Sequence, residues 1–113
     1  DRFRIAKLWV AEYGSPDDAA QFEWLYAYSP YHRVRAGTPY PALLFTAAES
    51  DSRVDPLHAR KMTAAMQAAT TSEHPILLRL ETKAGHGAGK PVAKMVEELT
   101  DVYSFLFAEL EVK

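Results

Sequence analysis

The chain has 113 residues, a length that suits one domain or one piece of a larger domain. Its 13 basic and 15 acidic residues give a formal net charge of −2, so it lacks the basic excess that binding to nucleic acid or anionic membranes needs. It has no cysteine, which excludes disulfides, thiol catalysis and zinc–thiolate sites, and no apolar run near the ~18 residues that a membrane span requires.

The N-terminal third contains few periodic signals. The chain opens with Asp1-Arg-Phe-Arg-Ile5 rather than Met, which reads as the interior of a longer sequence, so we expect a fragment. Gly14-Ser-Pro-Asp-Asp18 predicts a turn that ends in a helix N-cap. The short helix that follows is expected to turn Phe22, Leu25 and Tyr26 inward.

Two apolar runs separated by a helix come next. Pro41–Ala47 and Ile76–Glu81 show no polar alternation, which is typical of strands buried on both faces of a parallel sheet. Between them, Asp55 and Pro56 predict a helix start, and the residues up to about Ala69 are good helix formers.

The last 22 or so residues carry the best amphipathic pattern in the chain, which predicts a helix of about five turns. Lys94, Glu97, Glu98 and Asp101 fall on its polar side. The apolar stripe, with steps of three and four residues, consists of Val92, Val96, Leu99, Tyr103, Leu106 and Leu110.

The predicted order is strand, loop, helix, strand, loop, helix, which indicates an α/β fold. Two strands joined by a helix are normally parallel, with a right-handed crossover, so their C-terminal loops leave from the same edge of the sheet. Open α/β sheets bind their ligands at that edge. Asp51 lies on the first of these loops and His86 on the second.

Asp51 and His86 are candidates for the acid–base half of a nucleophile triad. In such a triad the Asp orients the His, and the His takes and returns the proton of the nucleophile. In α/β-hydrolases the order along the chain is Ser, Asp, His, and Asp followed by His is the end of that order. The alternatives are that Asp51 only caps its own loop and that His86 is an exposed loop residue between glycines.

The glycine-rich loop Lys83–Lys90 does not match a nucleotide-binding motif. In a Walker A motif Ala84 would have to be Gly and Pro91 would have to be Ser or Thr, and in a dinucleotide fingerprint Lys90 would have to be Gly. The glycines instead allow a tight turn around His86. The four histidines have no partners at metal-ligand spacing, so we expect no metal site. We also expect no cofactor.

Four segments, which together sample the whole chain, resemble the C-terminal end of the prolyl oligopeptidase family of serine peptidases. The glycine loop, continued to Pro91, is close to a family signature by itself. The segments are Trp9-Val-Ala-Glu-Tyr-Gly14, Phe22-Glu-Trp-Leu25 with Tyr28-Ser-Pro-Tyr-His32, Asp51-Ser-Arg-Val54, and Lys83-Ala-Gly-His-Gly-Ala-Gly-Lys-Pro91.

The resemblance implies a role for particular residues. Asp51 and His86 match the triad acid and base, and Arg53 matches the arginine that donates to a substrate carbonyl on the amino side of the scissile proline. Trp9 matches the tryptophan that stacks on the proline ring. Tyr13 and Val54 match further lining residues of that pocket.

The resemblance also implies the fold and what lies outside it. Residues 1–113 would be the C-terminal part of an α/β-hydrolase peptidase domain, with an incomplete sheet. No serine here has the G-x-S-x-G context of the nucleophile, so that segment and the family's β-propeller are expected elsewhere. The chain alone is therefore predicted to be inactive. Its expected partners are a proline-containing oligopeptide and the rest of the peptidase chain, with no nucleic acid and no membrane.

Three hypotheses about function remain. The chain completes the triad of a proline-specific serine endopeptidase, or it is a free-standing α/β interaction module with a decayed site, or it belongs to another α/β-hydrolase such as a dipeptidyl peptidase or an esterase. The intact set Trp9, Asp51, Arg53 and His86 disfavours decay. An ester substrate needs neither an indole that stacks on proline nor an arginine that binds a peptide carbonyl, which disfavours an esterase. We expect a soluble protein, in either the cytoplasm or the periplasm.

Overall fold

A computed structural model describes residues 5–82 and 90–112. From residue 43 onward strands and helices alternate as the sequence predicts. Before them lie two helices, and short 3-10 turns at Ala6–Trp9 and Tyr31–Arg33 precede the first and follow the second. The elements are α1 Val10–Tyr13, α2 Ala19–Tyr28, β1 Leu43–Ala48, α3 Leu57–Ala69, β2 Ile76–Glu81 and α4 Val92–Glu109.

The two strands pair in parallel, as predicted. Leu43 lies opposite Ile76 and Ala48 lies opposite Glu81. The pairing continues one step past β1, where the backbone N–H of Glu49 donates to the carbonyl oxygen of Glu81 at 2.9 Å. The segments that follow β1 and β2 therefore leave the sheet side by side at its C-terminal edge.

Helix α3 makes the crossover and packs on both strands. It begins at Leu57, one residue after the predicted start, and the Asp55 carboxylate accepts the Leu57 N–H at 2.9 Å, the capping role expected of it. Thr63, Met66 and Ala69 are buried on its inner face. The Gln67 side chain reaches the sheet and donates to the carbonyl oxygen of Ile76 at 2.7 Å.

The strands are less buried than predicted. In the part of the chain that the structure describes, the buried apolar side chains are Met66, Ala69 and Ile76, and Leu77 on β2 keeps 46% of its surface exposed. The expectation of two strands buried on both faces is therefore wrong for this chain. The physical reason is that the described sheet has only two strands, and that the face of α4 toward it mixes charged residues such as Lys94 and Glu98 with only two half-buried apolar ones, Val102 and Phe105.

Helix α4 runs antiparallel to β2. Near its start, Lys94 lies beside Glu81 at the end of β2, and near its end Glu109 lies 3.7 Å from His74, before β2 begins. Between these points the guanidinium of Arg79 contacts Asp101 at 2.7 Å. None of the helices in the described ranges is long and apolar enough to cross a membrane.

The amphipathic pattern of α4 is confirmed as a helix, but its apolar stripe faces away from the sheet. Exposed fractions along the stripe run from 38% at Leu106 to 70% at Val92. Lys94 and Glu98, on the polar side, are half-buried instead. The apolar face of α4, which in a globular protein normally packs against the core, is therefore exposed to solvent in the described fold.

Helix α2 has the predicted cap, since the Asp18 carboxylate accepts the N–H of Gln21 at 2.9 Å. Its predicted inner face is wrong in part: Phe22 is 47% and Tyr26 is 41% exposed, and only Leu25 is half-buried. The two aromatic rings stack on each other across one helical turn, with centroids 5.7 Å apart, rather than packing on the sheet.

Candidate active site

Asp51 lies at the C-terminal edge of the sheet, in the loop after β1, and is 9% exposed. Its Oδ1 accepts two hydrogen bonds, from the backbone N–H groups of Arg53 and Val54, each at 2.8 Å. Such bonds are the capping pattern of an Asx turn, so Asp51 does cap its own loop. They also orient the carboxylate, which is what the second interpretation, as a triad acid, requires.

The same loop carries Arg53 to the indole of Trp9. The guanidinium carbon lies 5.7 Å from the centre of the Trp9 ring, in the range of a cation–π interaction. Trp9 ends the first 3-10 turn and is half-buried, whereas Arg53 is exposed. The structure therefore brings together the two side chains to which the resemblance assigns a proline ring and a peptide carbonyl.

Trp9 also borders a small cavity that Arg53 does not line. It has a volume of about 220 Å³, and Trp9, Tyr13 and Leu25 are among the residues that line it. Tyr13 is 56% exposed, and the hydrogen bond and charge of the neighbouring Glu12 raise the pKa of its phenol. Val54, the other predicted lining residue, is 44% exposed and is not among the residues around this cavity.

Gly14 shapes the turn beside this cavity. Its φ of +96° is a conformation that residues with a side chain rarely adopt, and a Cβ there would come within 3.1 Å of the Gln21 side-chain oxygen. That same oxygen accepts the backbone N–H of Ser15 at 2.7 Å. The turn after Tyr13 thus depends on glycine.

His86, the predicted base, lies outside the described residues. The chain on either side of it is described: β2 ends at Glu81, and the chain resumes at Lys90. Because Glu49 pairs with Glu81, β2 ends beside the start of the segment that leads to Asp51.

A cluster of charged side chains at this edge was not predicted. It centres on Glu81, which is only 4% exposed. Its Oε1 lies 3.2 Å from the Lys94 ammonium, and its Oε2 lies 3.0 Å from the Arg79 guanidinium and 3.8 Å from the Lys90 ammonium. Lys90 also binds Glu98. The sequence signal that could have revealed it is the pair Arg79 and Glu81, two charged residues at alternate positions near the end of a strand whose other residues are apolar.

Electrostatics within the cluster favour the ionised forms. Burial acts to raise the pKa of Glu81, but Lys94 and Arg79 outweigh it and hold that pKa below its usual value. Glu97 and Glu81 together raise the pKa of Lys94. Over residues 5–82 and 90–112, no group of three or more potential ligands is arranged to hold a metal ion.

The sequence matches one family model along its entire length: that of the prolyl oligopeptidase family, over residues 1–113. A prolyl endopeptidase from Elizabethkingia meningoseptica is 40% identical over 114 aligned positions, which cover 100% of this chain and 16% of that protein. The chain therefore spans about a sixth of the length of this curated relative.

Solved structures agree with this match. A structure from a study of two prolyl endopeptidases is 49% identical, with a TM-score of 0.92, and covers 98% of this chain and 16% of its own. Prolyl oligopeptidase B from Galerina marginata, a histidine-to-alanine mutant bound to a 35mer hydrolysis and macrocyclisation substrate, is 34% identical with a TM-score of 0.87 and covers 99% and 16%. The predicted fold class, part of an α/β-hydrolase domain, is confirmed by these similarities.

Proposed function

Because this chain belongs to the prolyl oligopeptidase family, we propose that it supplies the acid, the base and part of the specificity pocket of a serine endopeptidase that cleaves short peptides after proline. Residues 1–113 would be the C-terminal part of the peptidase domain of a longer polypeptide. The serine nucleophile and a β-propeller would come from other parts of that polypeptide.

One observation carries this proposal: the loop after β1 presents a buried, oriented carboxylate and, two residues later, a guanidinium that lies over an indole. Asp51 is held by two backbone N–H groups, and Arg53 lies 5.7 Å from the Trp9 ring centre. An acid for the triad, a donor for a peptide carbonyl and a flat plate for an apolar ring are the three functions that proline-directed peptide cleavage needs at one place.

In the proposed reaction His86 removes the proton of the serine hydroxyl as the oxygen attacks the carbonyl carbon of the scissile bond. Asp51 orients the imidazole and stabilises the imidazolium that forms. His86 then gives the proton to the leaving amine, the carbon–nitrogen bond breaks, and an acyl-enzyme remains. Water, activated by the same histidine, hydrolyses the ester and restores the serine.

Specificity for proline would come from Trp9 and its neighbours. The pyrrolidine ring is rigid and apolar, so an indole face can recognise it by contact area at little entropic cost. Arg53 would donate to a peptide carbonyl on the amino side of the proline, a role that its fork of donors suits. Tyr13 and Val54 would line the rest of the pocket. The histidine mutant of the Galerina enzyme, which holds a hydrolysis substrate, supports a histidine in the chemistry.

The proposal is tested on the complete polypeptide that contains this sequence, with three substrates. We expect rapid release of an aromatic amine from an N-blocked Gly-Pro amide, and much slower release from the matched Gly-Ala amide. A simple acyl ester without proline should be a poor substrate.

Each other result rejects the proposal in a recognisable way. Preference for the acyl ester would indicate an esterase, and cleavage of Gly-Pro amides only when the amino terminus is free would indicate a dipeptidyl peptidase. Hydrolysis of none of the three by folded protein would indicate an interaction module.

A further inference from the structure

The proposed mechanism does not use the charged cluster at the junction of β2 and α4. Its central group, Glu81, is among the most buried charged side chains that the structure describes, at 4% exposure. Burying a carboxylate is costly unless cations compensate it, and here three cationic groups lie within 4 Å of its oxygens. Two of these cations, Lys90 and Lys94, lie where the chain enters α4, and this position suggests a role for the cluster.

Glu81 joins three parts of the molecule. Through its backbone carbonyl it binds the N–H of Glu49, at the start of the segment that leads to Asp51. Through its side chain it binds Lys94, in the first turn of α4, at 3.2 Å. Through Oε2 it attracts Lys90, the first described residue after the segment that carries His86, at 3.8 Å.

The carboxylate and its cations therefore connect the two ends of one segment. The chain leaves β2 at Glu81 and is described again at Lys90, with His86 between them. Lys90 is further held by Glu98, one of the half-buried residues of α4. Among the described residues, Oε2 accepts no hydrogen bond of good geometry, so Arg79 and Lys90 act on it mainly through charge.

We propose that Glu81 is a positioning residue for His86, because its carboxylate ties Lys90 and Lys94 to the end of β2 and so fixes both ends of the His86 segment relative to Asp51. This inference rests on the proposed function. It does not require that Glu81 touch the substrate or the reacting atoms.

Position matters here because proton transfer between an imidazole and its partners needs hydrogen-bond distances. A displacement of about 1 Å at a reacting group can cost on the order of 100-fold in rate. Substitution of the Glu81 side chain leaves the backbone bond to Glu49 in place, so a variant isolates the effect of the carboxylate.

The test compares variants of the complete polypeptide on an N-blocked Gly-Pro amide, with kcat expressed per active site titrated by a serine-directed reagent. The variants are Glu81→Gln, Glu81→Asp and Lys94→Gln. Asp101→Asn is the matched control, since it removes a carboxylate that also links α4 to β2 through Arg79 but that pairs with neither Lys90 nor Lys94. His86→Ala is included to test the mechanism itself.

We expect Glu81→Gln to lower kcat by about 10- to 100-fold, with KM changed by no more than about twofold. Glu81→Asp, which keeps the charge, should recover most of the loss. Lys94→Gln should also lower kcat. If Glu81→Gln yields no folded protein, the kcat of Lys94→Gln tests the inference in its place. Asp101→Asn should remain within about twofold of the parent.

Two results would overturn the inference. One is a Glu81→Gln variant that loses thermal stability but keeps its kcat per titrated site, which would make Glu81 merely structural. The other is an equal loss in Asp101→Asn, which would mean that any weakening of the contact between β2 and α4 has this effect. If His86→Ala keeps proline-specific hydrolysis, the proposed function itself fails, and that result is distinct from both.

Discussion

Asp51 combines two tasks in one carboxylate: it shapes its loop through the N–H groups of Arg53 and Val54, and in the proposed mechanism it faces His86. The two tasks respond differently to substitution. The oxygen of an asparagine can still accept both backbone bonds, so the loop is kept while the charge is lost. Alanine removes both functions together.

In the complete polypeptide, Asp51→Asn should therefore lower kcat by about 10⁴-fold with little change in thermal midpoint, because the imidazole is held in the wrong tautomer. Asp51→Ala should lower kcat similarly and lower the thermal midpoint as well. His86→Ala is expected to lose at least as much activity as Asp51→Asn. Steady-state kinetics and thermal unfolding check all three, and near-normal kcat at either position would remove that residue from the catalytic set.

Trp9 provides the test of substrate choice. Aromatic pairing is worth about 0.5–1.5 kcal/mol beyond the area that is buried, and each ~1.4 kcal/mol is a factor of about ten. Trp9→Ala should lower kcat/KM by at least about tenfold for the Gly-Pro substrate and by less for Gly-Ala. Trp24→Ala, which removes the only other tryptophan of the chain, is the matched control and should leave the ratio of the two unchanged.

Arg53→Ala should behave differently from Trp9→Ala. The carbonyl that Arg53 is proposed to bind is present in both substrates, so kcat/KM should fall for both by a similar factor. An unchanged Pro-to-Ala ratio in Trp9→Ala, measured per titrated active site, would show that Trp9 is not the specificity plate.

At the scale of elements, the sequence predicted what depends on local signals. Both strands, the crossover helix and α4 were predicted, and the caps at Asp18 and Asp55 were found as expected. Element ends moved by one or two residues, and α1, a single turn of four residues at Val10–Tyr13, has no comparable signal.

What the sequence could not provide is the direction in which a helix faces. In the described fold the apolar stripe of α4 and the rings of Phe22 and Tyr26 are exposed, although their spacing alone predicts inward faces. Glu81 was missed for a related reason. Its role depends on lysines brought to it by the packing of α4 on β2, whereas Asp51 and Trp9 could be identified by resemblance to a family.

The junction of β2 and α4 should be sensitive to acid. The folded-state pKa of Glu81 lies below its ordinary value of 4.5, so its contribution to stability is fully present above that value and is lost as the pH falls through the lower, folded-state pKa. The pKa of Lys94 is raised above 10.5, so its contribution is present below that value and is lost in strong alkali.

The urea midpoints of the parent and of Glu81→Gln should therefore differ most between these limits and converge as the pH falls below 4.5 and through the lower, folded-state pKa of Glu81. The measurement is a series of urea titrations of the complete polypeptide from neutral to acid pH. A difference that stays constant or grows on acidification would contradict the assigned ion pairs.

The chain as a whole corresponds to only a small part of its relatives. It aligns with 16% of the length of the Elizabethkingia prolyl endopeptidase. Its own core is small, and large apolar side chains such as Val92 and Leu110 are 70% and 68% exposed. A surface of this kind marks an interaction site or a cause of aggregation.

The purified 113-residue chain should have no proline-specific peptidase activity, because an acid and a base without the nucleophile have nothing to activate. The check is the Gly-Pro amide assay, run with and without a serine-directed reagent that inactivates any contaminating serine peptidase. Turnover that resists the reagent and copurifies with the chain would refute this prediction.

The charged junction of β2 and α4 also has a consequence for heat. The hydration of charged groups becomes less favourable as temperature rises, so the cost of keeping Glu81 and Lys90 away from water falls, whereas the stabilisation from apolar burial levels off. Networks of ion pairs, rather than isolated pairs, benefit from this trend, and Glu81 with Arg79, Lys90 and Lys94 forms a network. The contact that flanks the His86 segment is thus of the type whose share of the total stability grows on warming.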